Sequence, residues 1–287
     1  MSPRLRIALA ALLFSTGGAA IKAADFSAWQ VASFRSGVAA ITLLLLVPGA
    51  RRGIDWKAAL VGVAYAATLV LFVLANRLTT SANTIYLQST APLYVLLLAP
   101  LLLRERIRRR DLPIIAAVLV GLACVLLGRD HPSVTAPAPG RGNILAAMSG
   151  LTYALLLIGL RWLGRDASSD RGMSAVFLGN IFACVAVLPM ALPLHTHGAV
   201  AWGVILYLGI FQIAVAYLMV TTGLRHVPAI EASLMLLVET AFNPVWSWLI
   251  LGEVPALLAL VGGGLIIGAT IVQSVRAPSV APMPDLV

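Results

Sequence analysis

Apolar runs long enough to cross a bilayer recur from one end of this chain to the other, and short charged clusters separate them. No residue is charged from Ala58 to Asn76, nor from Leu112 to Gly128. A helix needs about 20 such residues to cross the hydrocarbon core. Within that core the backbone must satisfy its own N–H and C=O groups, which leaves helices or closed barrels. Uninterrupted apolar runs, rather than alternating ones, select the helix. Composition agrees: 60% of residues are hydrophobic and 11% are charged, whereas a soluble domain carries about 25% charged residues. Too few charges exist to wet a globule of this size.

The formal net charge of +9 does not indicate a nucleic-acid partner. The basic residues sit in clusters between runs, not along one face with aromatics to stack on. Cys124 and Cys184 lie inside apolar runs and read as small packed hydrophobes, not a disulfide. No metal-ligand spacing occurs. Arg4 and Arg6 before an apolar stretch imitate a signal peptide, but similar runs follow, which favours a first transmembrane helix.

Spans are expected at 4–23, 28–47, 57–76, 79–103, 111–128, 142–163, 173–193, 200–222, 227–251 and 256–275. Pro48-Gly49 ends the second. Pro132, Pro137 and Pro139 mark an exposed loop between Arg129 and Arg141. With the N-terminus in the cytoplasm, most Lys and Arg fall on that side, including Arg51, Arg52, Lys57, Arg104 to Arg110, Arg165, Arg171, Arg225 and Arg276. The other side receives Lys22, Arg77, Arg129 and Arg141. By the positive-inside rule both termini are expected in the cytoplasm and the span count is even.

The halves are related. An offset of 148 residues lays Asn76-Arg77-Leu78 over Leu224-Arg225-His226 and Leu103-Arg104-Glu105 over Leu251-Gly252-Glu253. An offset of 139 lays Phe14 and Lys22 over Tyr153 and Arg161. Five spans per half is an odd number, so the second half enters the membrane upside down, as in many secondary transporters. The fold class expected is an all-α integral membrane protein, ten transmembrane helices in a 5+5 inverted-topology repeat around a central cavity. Residues 1–128 form the first repeat, 129–141 a linker, 142–275 the second repeat, and 276–287 a disordered cytoplasmic tail.

These residues resemble a family. Asn76-Arg77-Leu78-Thr79-Thr80-Ser81-Ala82, Pro92 and Leu103-Arg104-Glu105 recur as Gly223-Leu224-Arg225-His226-Val227-Pro228-Ala229, Glu239 and Leu251-Gly252-Glu253. In that order they are similar to the EamA-type branch of the drug/metabolite transporter superfamily. Two departures stand out. Phe14-Ser15-Thr16-Gly17 replaces the family's Trp-Gly pair, and Thr240 follows Glu239, with the proline one turn later as Pro244. Aromatic-rich spans make the chain look similar to the branch that exports aromatic amino acids and methyl viologen. The resemblance implies alternating access in a bacterial inner membrane, spans three, four, eight and nine near the cavity, and no metal, nucleotide or prosthetic group. The direction, export, rests on the resemblance alone.

A carrier needs polar groups at mid-membrane facing protein or cavity, because a polar group facing lipid is costly. In span four, Tyr86, Thr90 and Tyr94 share one helical face. Gln88 lies on another, and Pro92 removes a backbone donor and frees the carbonyl one turn earlier. In span nine, Met235, Glu239, Asn243 and Trp246 share a face beside Pro244. Glu239 is the one carboxylate near the middle of any span, and is assigned contact with a substrate ammonium or a proton relay. Span three offers Tyr65, Thr68 and Phe72; span eight offers Tyr207, Phe211 and Gln212. Packing is the bland alternative for each stripe. Arg35, a third of the way into span two, either attracts a carboxylate or snorkels outward. Lys22 reads as an interface residue, and Glu105 and Glu253 as loop caps.

The candidate substrate site is thus Tyr86, Gln88, Thr90, Tyr94, Glu239, Asn243, Trp246, Tyr65, Phe72, Phe211 and Gln212, with Pro92 and Pro244 as hinges. The expected activity is secondary export of small metabolites, aromatic or neutral amino acids foremost, with another metabolite or a drug-like cation as the alternative. The expected partners are that small molecule and the lipid bilayer. An intramembrane enzyme would need a nucleophile and base at depth, yet His131, His195, His197 and His226 fall in loops or at span ends. A channel would need a filter-like segment, which is absent from the sequence.

Overall fold

The computed structural model describes residues 2–102, 112–128, 132–163, 171–194, 196–224 and 229–276. Leu103-Arg104-Glu105, Arg225 to Pro228 and the 277–287 tail therefore lie outside the described residues. The described chain is a bundle of helices with no strand. By length and composition six helical segments can cross a membrane: Pro3–Ala23, Ala28–Leu46, Trp56–Leu78, Pro139–Leu160, Arg171–Ala191 and Ala199–Val220. Leu112–Leu127 and Leu257–Val272 are shorter apolar helices.

Local chemistry sets the helix ends. Helix α1 (Pro3–Ser15) has proline in its first turn and Ser2 as cap, and ends at Thr16. Thr16 Oγ1 donates to the Leu13 carbonyl at 2.7 Å. A short α2 (Gly17–Ala23) continues the span. Helix α3 (Ala28–Leu46) opens on a reciprocal capping box between Ser27 and Gln30. Helix α4 (Trp56–Leu78) is capped by Asp55, whose Oδ1 accepts from the Ala58 N–H at 2.8 Å. The other Asp55 oxygen pairs with Arg171 Nε at 3.0 Å, tying α4 to α9 (Arg171–Ala191).

The fourth span is broken. Helix α5 (Ser81–Gln88) stops, Ser89 and Thr90 form a turn, and α6 (Ala91–Leu102) restarts with Pro92 in its first turn. Proline cannot donate to a carbonyl one turn back, and the break falls there. Helix α8 (Pro139–Leu163) presses on the exposed carbonyls: a Cβ on Gly150 would stand 2.9 Å from the Leu87 oxygen and 3.3 Å from that of Gln88. Only a glycine backbone comes that close.

A second irregularity has no marker in the sequence. Between α10 (Ala199–Tyr207) and α11 (Ala216–Leu224) the backbone widens into a π-helical stretch, Leu208–Val215, which carries Gln212. Such wide turns are frequent at functional sites. Helix α12 (Ala229–Leu251) holds Pro244 inside it, and α7 (Leu112–Leu127) packs on α13 (Leu257–Arg276). A Cβ on Gly262 would stand 2.5 Å from the Gly121 carbonyl, the close approach that small residues permit between membrane helices. Helix α4 packs on α8 and α9, α3 on α9 and the π stretch, and α1 on α11 and α12. Large apolar residues such as Leu45, Leu127, Val200 and Leu249 face outward, as lipid requires.

Candidate substrate cavity

A cavity of about 320 Å³ lies midway along the bundle. Helix α4 supplies Tyr65, Thr68, Leu69 and Phe72 to its wall, and the break after α5 supplies Gln88, Ser89 and Ala91. The π stretch and α11 bring Gln212, Ile213, Tyr217 and Val220; α12 brings Leu236, Glu239 and Thr240. Arg35 from α3 and Tyr153 from α8 complete its polar lining, with Phe14 of α1 and Thr270 of α13 beside them.

The two proline-marked helices meet at the cavity. Ser89, at the α5–α6 break, shares a 3.1 Å hydrogen bond with Thr240, one turn before Pro244. The chain is therefore weakest in both helices where they touch each other and the cavity. Gln88 donates from Nε2 to Ser149 Oγ at 2.8 Å, and Ser149 lies over the Thr68 carbonyl at 3.4 Å. Thr68 in turn donates to Thr152 at 3.0 Å. An aromatic wall stands opposite. Tyr217 meets Phe14 and Tyr65 edge to face at centroid separations of 5.2 and 5.4 Å.

Two ionisable side chains of opposite sign line this space. Arg35 is 1% exposed. Its Nη2 donates to the Leu69 carbonyl at 3.1 Å, and its Nε finds no acceptor. It does not snorkel, because α9 and the π stretch cover α3. Glu239 is the one carboxylate in the cavity lining. No described residue forms an ion pair with either group.

Of the residues selected from sequence, Tyr65, Phe72, Gln88, Gln212 and Glu239 line the cavity. The others do not. Tyr86 is 6% exposed and lies flat against α13, where a Cβ on Gly263 would meet its ring at 2.5 Å. Thr90 is buried and donates to the Leu87 carbonyl at 2.6 Å. Tyr94 is partly buried in α6, away from the cavity wall. Asn243 is buried at Gly18, and Trp246 donates from Nε1 to Ser15 Oγ at 2.9 Å. Phe211 is 48% exposed on the outside of the bundle, stacked on Tyr207 at 6.0 Å. Successive helical residues point about 100° apart, so a stretch that turns Gln212 and Ile213 to the cavity leaves Phe211 outside. Pro92 and Pro244 sit at the α5–α6 break and within α12.

Sequence reasoning left out Phe14, Tyr153 and Tyr217, although the repeat offsets carry a signal for them. Phe14 and Tyr153, 139 residues apart, both line the cavity. At the 148-residue offset, Tyr65 corresponds to Ile213, Leu69 to Tyr217, Phe72 to Val220, Gln88 to Leu236 and Ala91 to Glu239. Every member of these pairs is in the lining.

One end of the bundle is closed by buried charge. Lys22 pairs with Glu253, their side chains 3% and 4% exposed, and also donates to the carbonyls of Thr79 and Thr135 at 2.7 Å each. The second Glu253 oxygen accepts from the Ser81 N–H at 2.9 Å. Arg77 Nη2 reaches the carbonyls of Ala24 and Phe26 at 2.6 and 2.7 Å. Lys22 is therefore not an interface residue pointing to water, and Glu253 does more than cap a loop. An ammonium that meets a carboxylate and two carbonyls is better satisfied inside than at the lipid boundary. Among the described residues, no group of His, Cys, Asp and Glu converges to hold a metal ion.

An apolar helical bundle around a polar, aromatic cavity at mid-depth defines a multi-pass membrane carrier. The chain belongs to the EamA-like transporter family, which matches residues 4–127 and 140–275. It is thus a transporter rather than an enzyme. It is 26% identical to the pseudopaline exporter CntI of Pseudomonas aeruginosa over 279 residues, 93% of each chain. An uncharacterized transporter of Archaeoglobus fulgidus is 25% identical over 206 residues, 71% of each. A crystal structure at 18% identity shares the fold, with a TM-score of 0.59 covering 95% of this chain and 96% of the other.

Proposed function

We propose that this protein is a secondary transporter of the bacterial inner membrane that exports small metabolites, aromatic or neutral amino acids foremost, by alternating access. The cavity carries the reading: a lone carboxylate, Glu239, faces an aromatic wall in a space of about 320 Å³, within the range of small-ligand sites. Glu239 and the Gln88 and Gln212 amides take the place of the substrate's water, while Tyr65, Phe72, Tyr153 and Tyr217 hold its apolar body. Tyr86, Thr90, Tyr94, Asn243 and Trp246 act from behind, by packing the helices that move. A second reading, export of a different metabolite, is favoured by the similarity to a pseudopaline exporter.

Ten spans in a 5+5 inverted repeat support the mechanism. The family match falls in two stretches, one per half. The packing also supports a two-fold. Contact of α4 with α8 corresponds to α11 with α1; α4 on α9 to the π stretch on α3; and α1–α2 on α12 to α8 on α5–α6. Contacts of α3 with α9 and of α7 with α13 map onto themselves. The cavity lies on the axis, lined by corresponding residues of both halves. With both termini cytoplasmic, the Lys22–Glu253 end faces outward and is the closed gate. Ser89 and Thr240, beside the two prolines, are the points where the helices bend on opening.

The test is counterflow of each of the twenty amino acids into liposomes holding the purified chain, without ATP. At least one aromatic or neutral amino acid should exchange, and Glu239→Gln should slow it at least tenfold. Exchange of none, or wild-type rates for Glu239→Gln at every pH, refutes the assignment.

A further inference from the structure

Arg35 is a cation held inside a membrane protein with no counter-ion among the described residues. It is 1% exposed, lines the cavity, and satisfies one donor on the Leu69 carbonyl. A guanidinium presents five donors and favours the two-pronged geometry of a carboxylate. A structural arginine at depth normally pairs with acid or several carbonyls, because the lone charge is costly. Glu239 shares the cavity but is not within ion-pair distance. A guanidinium and a carboxyl group that share one small space without pairing with each other match a molecule that carries both complements.

We infer that Arg35 binds the carboxylate of the cargo, so that the cavity selects molecules with a carboxylate at one end and a cationic amine at the other. Tyr65 and Tyr217, the wall beside Arg35, close the carboxylate end. Gln212 Oε1 is buried without a hydrogen-bond partner among the described residues. Such an orphaned group beside a cavity marks where a ligand or water completes the network. The inference rests on the cavity being the substrate site. It adds that an amine alone, or a cationic drug without a carboxylate, is a poor cargo.

Three probes with one apolar body test it: L-phenylalanine, phenethylamine and 3-phenylpropionate, titrated calorimetrically into the purified full-length protein. The wild type should bind phenylalanine at least about tenfold more tightly than phenethylamine, the worth of a charge-assisted contact. Arg35→Gln should erase that preference and abolish 3-phenylpropionate binding. Arg35→Lys, which keeps the charge, should retain part of both. Glu239→Gln should do the reverse, sparing 3-phenylpropionate. The inference is overturned if the wild type binds phenethylamine as tightly as phenylalanine or binds none of the three. It also falls if Arg35→Gln weakens all three equally, as a purely structural residue would. Counterflow separates the two claims. Loss of preference in Arg35→Gln with no amino acid exchanged by the wild type refutes amino acid transport alone. Unaltered phenylalanine exchange in Arg35→Gln refutes the carboxylate site alone.

Discussion

Replacing Lys22 with glutamine should open the closed end of the bundle. The substitution leaves the Glu253 carboxylate buried, with the Ser81 N–H at 2.9 Å as its remaining described partner. It also takes the ammonium from the carbonyls of Thr79 and Thr135. Removing one partner of a buried ion pair costs about 3–5 kcal/mol. In an outward-open state Glu253 is hydrated, so this cost falls on the closed state. A shift of about 3 kcal/mol moves a two-state equilibrium by roughly 150-fold. That is enough to make a minor open state the major one.

Cysteine labelling reads the shift. With Cys124 and Cys184 replaced by alanine, Ser81→Cys reports the Lys22 end, where the side chain is fully buried. Thr270→Cys, in the cavity lining on α13, is the second reporter. Lys22→Gln should raise labelling of Ser81→Cys by a membrane-impermeant maleimide about 10- to 100-fold, and lower that of Thr270→Cys. A fold that had merely loosened would raise both. Unchanged labelling of Ser81→Cys, with an unchanged melting temperature, would show that the ion pair does not hold the gate.

Gly18→Ala should lower the melting temperature by several degrees, since the new Cβ would stand 2.4 Å from Asn243 Oδ1 and 3.0 Å from Ser81, an overpacking cost of about 1–3 kcal/mol. Phe211→Ala should change KM less than twofold in counterflow, because the ring is on the outer surface. Tyr217→Ala should raise KM at least tenfold, since that ring both lines the cavity and braces Phe14 and Tyr65; equal effects of the two variants would contradict the cavity assignment. Trp246→Phe should keep binding but cost about 1 kcal/mol of stability by thermal denaturation, the worth of the lost bond to Ser15.

The helices were legible in the sequence because lipid forces a single signal, an apolar run of fixed length, onto every span. Pro92 marked where span four loses a backbone bond, but not that the helix stops there. Side-chain facing was less legible. Tyr86, Thr90 and Tyr94 share a face only in a continuous helix. The turn at Ser89–Thr90 resets the rotation, and Tyr86 then turns to Gly263 of α13. Phe211 and Gln212 are neighbours in sequence and point about 100° apart, so the turn that brings Gln212 to the cavity leaves Phe211 outside it. Arg35 was ambiguous because its position in span two does not say which neighbours cover it. The covering residues come from α9 and the π stretch, far along the chain.

The 148-residue offset could have resolved part of that ambiguity. Under the proposed two-fold, a cavity on the axis is lined by corresponding residues, so one lining residue nominates another at a fixed offset. Tyr65, selected from sequence, nominates Ile213; Phe72 nominates Val220; Gln88 nominates Leu236, all in the lining. The chemistry breaks this symmetry at the positions that bind. Leu69 corresponds to Tyr217 and Ala91 to Glu239, so the second half supplies the polar member each time. The first half answers with Arg35 and Gln88. Under the proposed repeat the frame provides two ways of opening, while Arg35 and Glu239 would give the cavity a positive and a negative end. Exchanging Ala91 and Glu239, by Ala91→Glu with Glu239→Ala, should therefore keep the fold but move the negative end to the other half. Counterflow of phenylalanine should fall at least tenfold while the melting temperature stays within a few degrees. Retained exchange would mean that the position of the carboxylate within the cavity is immaterial, and the bipolar reading of the site would fail.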